Sequence, residues 1–174
     1  MKIKEYMKKK VISIPEKTTI GEAAAVIVEK HVGILPVVNE QGKPIGVVRL
    51  SDLLALELPD FINLVADFDF VHDFGAVETT RPSPKQLTES VATHMQPVMT
   101  IEEDSGLLRA YAIMLQNKIQ DLPVTTATGG LVGIVSLVDI GAAILSMWSK
   151  EQWDDACCDF VQPDLPCQPW IDFL

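Results

Sequence analysis

Hydrophobic and polar positions recur along this chain with a fixed spacing of 87 residues. Residues 11–53 align with residues 98–140 without a gap, and 13 of the 43 aligned positions are identical. The identities include a Leu-Pro-Val tripeptide that begins at Leu35 and again at Leu122. A match at one offset predicts two copies of a single structural unit.

Each copy begins with the pattern of a strand followed by a helix. Residues 11–14 and 98–101 are short runs rich in β-branched residues, which predict strands. Thr19 and Glu22 have the spacing of a capping box at a helix start, and Ser105 is the predicted cap in the second copy. Apolar residues at helical spacing predict one buried stripe per helix, formed by Ala23, Ala24, Ile27 and Val28 in copy one and by Leu107, Ala110, Tyr111 and Met114 in copy two.

The second half of each copy predicts a hairpin and another helix. Strands over 35–38 and 45–48 flank a turn at Gln41-Gly42, and residues 128–130 supply the turn of copy two. The second helices are expected to begin near Ser51 and Val138. Each unit is too small to bury a large core alone, since it has only roughly 50–60 residues.

The sequence therefore predicts an α+β fold of two pseudo-symmetric β-α-β-β-α repeats that pack sheet to sheet and leave two equivalent clefts. An inserted helical and extended linker separates the repeats, and an irregular C-terminal tail follows them. The predicted ranges are 1–66 for repeat 1, 67–90 for the acidic and aromatic insert with its connector, 91–148 for repeat 2, and 149–174 for the acidic tail with its Trp and Cys residues.

Charge and cysteine usage narrow the possible partners and compartments. The 174 residues include 24 acids and 14 bases, for a net charge of −10, and this balance excludes nucleic acid as the main partner. All three cysteines lie at position 157 or later, which is typical of a reducing compartment. The apolar stretch 131–148 contains Asp139, so we interpret it as strand and helix and not as a membrane span. We expect a soluble, cytoplasmic protein without a signal peptide.

Several motifs of the repeat resemble those of the cystathionine β-synthase (CBS) domain. They are Pro15-x-x-Thr18, Leu35-Pro36-Val37-Val38 and Gly46-Val47-Val48-x-x-x-Asp52-Leu53 in copy one, and Leu122-Pro123-Val124 and Gly133-Ile134-Val135-Ser136-x-x-Asp139-Ile140 in copy two. A tandem pair of this kind is similar to a Bateman module, a regulatory unit whose clefts hold adenosine-containing ligands. The resemblance implies AMP, ADP, ATP or S-adenosylmethionine as an effector, and no cofactor.

The resemblance also implies roles for the residues at the end of the third strand. In the family pattern an aspartate accepts hydrogen bonds from the ribose hydroxyls, and a nearby Thr or Ser assists binding near the ribose or phosphate. Asp139 and Ser136 match this pattern, although Asp139 also suits a helix cap. Copy one has Asp52 but carries Arg49 in place of the hydroxyl residue. Arg49 either donates to a phosphate or forms an ion pair that fills the cleft.

The remaining candidate ligand-binding residues follow from position within the copies. Asp121 lies where some family members have a basic residue, and it would repel a polyphosphate. Candidates for the adenine are Ile12, Ser13, Pro36 and Val37 in copy one and Met99, Thr100, Pro123 and Val124 in copy two, and candidates for phosphate are Lys10, His31, Arg49 and Lys118.

The insert and the tail suggest rival functions. Acids and phenylalanines alternate over 67–74, which favours a solvated strip over a metal site because no cation-binding loop signature is present. All three tryptophans, Trp148, Trp153 and Trp170, lie at the end of repeat 2 or in the tail, and this residue type is enriched at interfaces. The sequence shows no catalytic constellation, so we expect no enzyme. The leading hypothesis is a homodimeric ligand sensor that signals to an effector protein; the alternatives are a dimerisation module with degenerate clefts, and a metal-dependent enzyme that uses the insert.

Overall fold

The computed structural model of the chain describes residues 1–56 and 82–160, and for residues 149–160 it describes the backbone alone. Repeat 1 contains β1 (Ile14–Pro15), α1 (Ile20–Lys30), β2 (Ile34–Val38), β3 (Pro44–Arg49) and α2 (Leu50–Leu54). Repeat 2 follows the short helix α3 (Pro84–Leu87) and contains β4 (Ile101–Glu102), α4 (Leu107–Asn117), β5 (Asp121–Thr125), β6 (Leu131–Ser136) and α5 (Leu137–Phe160). The predicted α+β class and the β-α-β-β-α order of each repeat are confirmed.

Each repeat forms a three-stranded sheet with the same register. β1 pairs in parallel with β2, which pairs antiparallel with β3, and β4, β5 and β6 repeat this arrangement. The first strands are shorter than predicted, because only Ile14 and Ile101 of the predicted runs are in strands. The parallel ladder begins at Ile14 opposite Val37, and the residue before Val37 is Pro36, which has no N–H to extend the ladder.

Local sequence signals explain how the helices and turns begin. Thr19 and Glu22 form the predicted capping box, in which the Thr19 hydroxyl accepts from the Glu22 N–H and the Glu22 carboxylate accepts from the Thr19 N–H. The predicted Ser105 cap is wrong, since Gly106 occupies the N-cap position of α4 without a side-chain hydrogen bond. Gly42 and Gly129 adopt φ values of +72° and +85° in the two hairpin turns, as the turn predictions require.

The buried faces of α1 and α4 are narrower than predicted. Ile20, Ala23 and Ile27 are buried in α1, as are Leu107, Ala110 and Met114 in α4. Val28 is 70% exposed, however, because it lies one position beyond Ile27 and therefore about 100° around the helix. Tyr111 is likewise exposed. These two residues belong to the outer faces of the helices.

The two repeats exchange their leading segments. Ile3, in a 3-10 turn at Ile3–Glu5, is fully buried in the core of repeat 2, and Val91, in a turn at Val91–Thr93, is fully buried in the core of repeat 1. The backbone of Lys8 pairs with Ile134 of β6, and the backbone of Gln96 pairs with Val47 of β3. Each sheet is thus extended by chain that precedes the other repeat.

Two glycines allow this exchange. A Cβ built on Gly133 would overlap the sulfur of Met7 and would lie 3.2 Å from the backbone oxygen of Lys8. A Cβ built on Gly46 would overlap the sulfur of Met95 in the same way. The matched pairs of glycine and methionine explain why glycine stands in the middle of both β3 and β6.

The parts of the predicted connector and tail that the structure describes both contain helix. Pro84 lies within the predicted insert and connector, but it begins α3, whose N-cap Ser83 shares a capping box with Gln86. α5 continues to Phe160, so residues 149–160 are helical where an irregular tail was predicted. No proline or glycine interrupts the sequence between Ala142 and Phe160, and the helix therefore continues. The acidic strip 67–74 and the tail beyond residue 160 lie outside the described residues.

Candidate functional site

The most complete polar arrangement lies where β6 meets α5. The Asp139 carboxylate accepts from the Ser136 N–H at 2.8 Å and from the Ser136 hydroxyl at 2.6 Å, both at Oδ2. The Asp139 N–H lies 3.1 Å from the Ser136 hydroxyl oxygen. These contacts form a reciprocal capping box, which confirms the helix-cap interpretation of Asp139. They leave its other oxygen, Oδ1, available to a second partner, and that oxygen lies 3.6 Å from Lys8 Nζ.

The equivalent position in repeat 1 has the backbone contact of this arrangement but not the side-chain contact. Asp52 Oδ2 accepts from the Arg49 N–H at 2.9 Å, but Arg49 has no hydroxyl and makes no side-chain cap. Among the described residues, no carboxylate lies within 4.0 Å of the Arg49 guanidinium. The ion pair that was one of the two alternatives for Arg49 is therefore not formed at contact distance in the part of the chain that the structure describes.

Lys8 and Asp121 also lie at this site. The alignment of the two repeats does not predict that these residues lie near Asp139. Asp121 at the start of β5 is the cross-strand neighbour of Ser136 at the end of β6. Lys8 approaches because its backbone donates to and accepts from Ile134, two residues before Ser136. Sequence reasoning missed Lys8, since the leading segments align at an offset of 88 residues (Met7 with Met95) while the repeats align at 87.

The electrostatic environment of Asp121 is unusual for a surface carboxyl. Burial raises the pKa of Asp121 above its ordinary value of 3.8. Lys8 and Arg49 oppose this rise, and Asp139 adds to it. Asp121 thus lies within electrostatic range of Arg49, which belongs to the other repeat. The start of β5 is therefore a point where charged side chains of both repeats come within electrostatic range of each other.

Asp121 is expected to destabilise the folded protein at neutral pH. Its raised pKa means that the folded state holds the proton more tightly, so its contribution to stability falls as the pH rises from about 4 through the folded-state pKa. We predict that Asp121→Asn raises the melting temperature at pH 7 and has no such effect near pH 3. A variant less stable than wild type at pH 7 would contradict this prediction. Melting curves at both pH values measure it.

A cavity of about 240 Å³ opens between the repeats near the two hairpin turns. Its walls come from Val11, Ser13, Val38 and Gly42 of repeat 1, Leu131 and Val132 of β6, and Lys9. The Leu131 N–H donates to the Gly42 carbonyl at 3.1 Å and joins the turns. Ser13 is a predicted site residue, whereas Asp52 and Asp139 are not among the described residues that line the cavity. About 13 Å of extended chain separates Val132 from Ser136 along β6.

The other predicted site residues lie at helix ends, against or within the core, or on the surface. His31 and Lys118 are exposed and end α1 and α4 in the left-handed conformation, with φ values of 51° and 53°. Ile12 packs against the core of repeat 1, and Met99 and Thr100 are exposed. The central strands bury four further candidates: Pro36, Val37, Pro123 and Val124. Contact with a ligand stays a prediction for all of these residues.

A comparison with protein-family models decides the family. The model described as the CBS domain matches residues 3–58 and 89–146, which together exceed half of the chain. The chain belongs to the CBS domain family. Both matched segments begin at the leading segments that the repeats exchange, so this exchange lies within the tandem CBS pair.

Curated and solved relatives agree with this assignment. The chloroplastic CBS domain-containing protein CBSX1 of Arabidopsis thaliana is 29% identical over 150 residues, which cover 82% of this chain and 64% of that protein. A crystal structure of CBSX2 in complex with AMP has a TM-score of 0.64 and 25% identity, and the match covers 84% of this chain and 98% of that one. The CBS domain pair of protein MJ0100, in complex with 5′-methylthioadenosine and S-adenosylmethionine, has a TM-score of 0.61 and 22% identity, with 84% and 98% covered.

Two features of the described residues bear on the rival functions. Neither the helices of repeat 1 nor those of repeat 2 combine the length and apolar character that a bilayer crossing requires. Within residues 1–56 and 82–148, no group of three or more His, Cys, Asp or Glu side chains is placed to hold a metal ion. The acidic strip on which the metal hypothesis depends lies outside these ranges.

Proposed function

We propose that this tandem CBS pair is a regulatory module that binds an adenosine-containing ligand between its repeats and signals occupancy to a partner protein. AMP, ADP, ATP and S-adenosylmethionine are the candidate ligands. The observation that carries the proposal is the complete Ser136–Asp139 pair at the junction of the two repeats. The complex of CBSX2 with AMP supports the same class of ligand. The distribution of cysteines supports a cytoplasmic location.

The second carboxylate oxygen of Asp139 is suited to accept a hydrogen bond from a ribose hydroxyl. An ionised carboxylate has about four acceptor positions, and the contacts with Ser136 all use Oδ2. Oδ1 faces Lys8 Nζ at 3.6 Å, longer than a direct hydrogen bond. The side chain is also 17% exposed, enough for a hydroxyl to approach. Asp139 can therefore cap α5 through one oxygen and at the same time accept a hydrogen bond from a sugar hydroxyl through the other.

A thermal-shift panel tests the proposal. A ligand present at 100 times its dissociation constant stabilises the folded state by roughly 2.7 kcal/mol. For a chain of this size the expected rise in melting temperature is about 5–10 °C. The panel contains AMP, ADP, ATP, S-adenosylmethionine and, as a control without adenine, GMP. Unchanged melting curves with every adenosine compound at millimolar concentration would refute the proposal and would favour a dimerisation module with degenerate clefts.

We also propose that the module is a homodimer assembled through the outer faces of repeat 2. Leu108 and Leu115 of α4 are 71% and 58% exposed, and Leu145 and Trp148 of α5 are 52% and 64% exposed. α4 and α5 pack against each other, so these exposed residues lie on neighbouring helices. Exposed apolar surface of this kind marks interaction sites.

A further inference from the structure

The six methionines of the chain differ in exposure and in what they contact. Three are exposed, one is buried and two are half-buried: Met1, Met99 and Met147, then Met114, then Met7 and Met95. The half-buried pair belongs to the exchanged leading segments. Each packs against the core of the repeat that its segment joins, Met7 in repeat 2 and Met95 in repeat 1. These two methionines therefore combine a structural role with partial exposure to solvent.

The thioether of each half-buried methionine lies directly against the glycine of a strand. A Cβ built on Gly133 would overlap the sulfur of Met7 and would lie 3.0 Å from its Cγ. A Cβ built on Gly46 would overlap the sulfur of Met95, and it would lie 2.8 Å from its Cγ and 3.2 Å from its Cβ. The space between each sulfur and its strand does not admit one more carbon atom. It therefore does not admit an oxygen atom bonded to the sulfur on that side.

The residue after each of these methionines pairs with the same strand. Lys8 exchanges two backbone hydrogen bonds with Ile134, of 2.9 and 3.0 Å, and Gln96 exchanges two with Val47, of 2.8 and 3.0 Å. Each bridge is only one residue pair long. A pairing this short depends on side-chain packing beside it, and the adjacent methionine supplies that packing. The methionine contact and the backbone bridge are therefore coupled in both repeats.

We propose that Met7 and Met95 are modification sites, at which hydrogen peroxide oxidises the thioether to the sulfoxide, and that the sulfoxides detach the ends of the exchanged segments. In this step the sulfur lone pair attacks one peroxide oxygen, so that an S–O bond forms and the O–O bond breaks. The proton of the attacked oxygen passes to the departing oxygen, which leaves as water. The sulfur loses two electrons and the peroxide gains them. The proposal does not depend on which ligand the module binds.

A sulfoxide cannot keep the position of the thioether. It converts an apolar side chain into a polar one, and burial of a polar group without a hydrogen bond is unfavourable. Rotation of the sulfoxide toward solvent removes the packing from Gly133 or Gly46. In repeat 2 the change reaches the candidate site, because Lys8 follows Met7 and its Nζ lies 3.6 Å from Asp139 Oδ1. Methionine sulfoxide reductases restore the thioether, so the modification is reversible.

Oxidation of the full chain with hydrogen peroxide tests the proposal. Peptide mass spectrometry measures the sulfoxide at each methionine, and melting curves and hydrogen exchange measure its effect. Once Met7 and Met95 are sulfoxides, we expect the melting temperature to fall by about 5 °C or more. The four amides of the two bridges should exchange at least about tenfold faster. Treatment with the two stereospecific methionine sulfoxide reductases should restore both values.

Three double variants assign the effect to these sulfurs. Met7→Leu/Met95→Leu keeps apolar side chains of similar volume and cannot form the sulfoxide, so peroxide should shift its melting temperature by less than about 2 °C. The matched control Met99→Leu/Met147→Leu removes two exposed thioethers and should lose as much stability on oxidation as the wild type. Met7→Gln/Met95→Gln carries a polar oxygen near the position of the sulfoxide oxygen, and it should melt below the wild type without peroxide.

Three results would overturn the proposal. One is that Met7 and Met95 remain thioethers after the exposed methionines have been fully converted. Another is that their sulfoxides form while the melting temperature and the exchange of the bridge amides stay unchanged. The third is an equal loss of stability for the wild type and Met7→Leu/Met95→Leu, which would assign the loss to other residues. If the leucine variant does not fold, reversal by the reductases and the melting temperature of the glutamine variant decide instead.

Discussion

Replacement of Asp139 by alanine is expected to weaken binding of the adenosine ligand about 100-fold. A hydrogen bond to a charged group is worth about 1.5–3 kcal/mol, so the loss of one such bond to a ribose hydroxyl accounts for this change. Asp139 also holds the first turn of α5 through Ser136. Isothermal titration with whichever adenosine compound binds the wild type most tightly measures the change in affinity.

Two further variants separate ligand binding from helix capping. Loss of a cap costs about 1 kcal/mol, so Asp139→Ala should melt at a lower temperature than the wild type but remain folded. Asp139→Asn retains an acceptor for the Ser136 N–H, and it should keep most of the stability while losing affinity. Asp52→Ala is the matched change in repeat 1, and we expect a smaller effect on binding. Equal affinities of wild type and Asp139→Ala would show that Asp139 is a cap alone.

The double variant Leu108→Glu/Leu115→Glu is expected to convert the dimer into monomers. The two leucines are seven residues apart and thus lie on one face of α4, beside Tyr111. Burial of a leucine contributes roughly 1.5–3 kcal/mol, and a two-fold interface would bury four copies. Glutamate would remove this contribution and would place like charges opposite each other. Size-exclusion chromatography with light scattering measures the mass over a range of concentrations.

A control variant tests whether the effect depends on the apolar surface. Gln116→Glu adds a negative charge to an exposed position beside Leu115, and it should leave the dimer intact. A wild type that is monomeric at high micromolar concentration would refute the homodimer. An unchanged mass for the double variant would place the interface elsewhere. On α1 the positions that align with Leu108 and Tyr111 are Gly21 and Ala24, so repeat 1 offers less apolar surface.

The regular parts of the fold could be predicted because short-range signals determine them. The capping box at Thr19, the glycine turns and the helical spacing of apolar residues each depend on residues within one short segment. The fixed offset of the repeats then transferred each assignment from one copy to the other. The offset places Thr19 opposite Gly106, which is the N-cap of α4, so the Ser105 prediction failed because it followed the hydroxyl side chain and not the offset.

The candidate site could be predicted only in part, since its geometry depends on contacts between distant residues. Lys8 and Asp139 are 131 positions apart, and nothing in the residues around Lys8 indicates that its segment joins β6. The role of Asp139 was ambiguous for another reason. A serine followed three residues later by an aspartate is typical of a helix cap and also of a ribose site. In both cases the carboxylate accepts hydrogen bonds, so the sequence pattern alone does not distinguish them.

The exchanged leading segments have a consequence for how the protein reaches its native state. Val91 completes the core of repeat 1, and Ile3 completes the core of repeat 2. A nascent chain on the ribosome therefore cannot finish its first sheet until Gln96 has emerged. Cleavage of the backbone anywhere between residues 57 and 81 would leave each fragment without part of its own interior. The fragments would have to associate to fold, so the two repeats constitute a single cooperative unit.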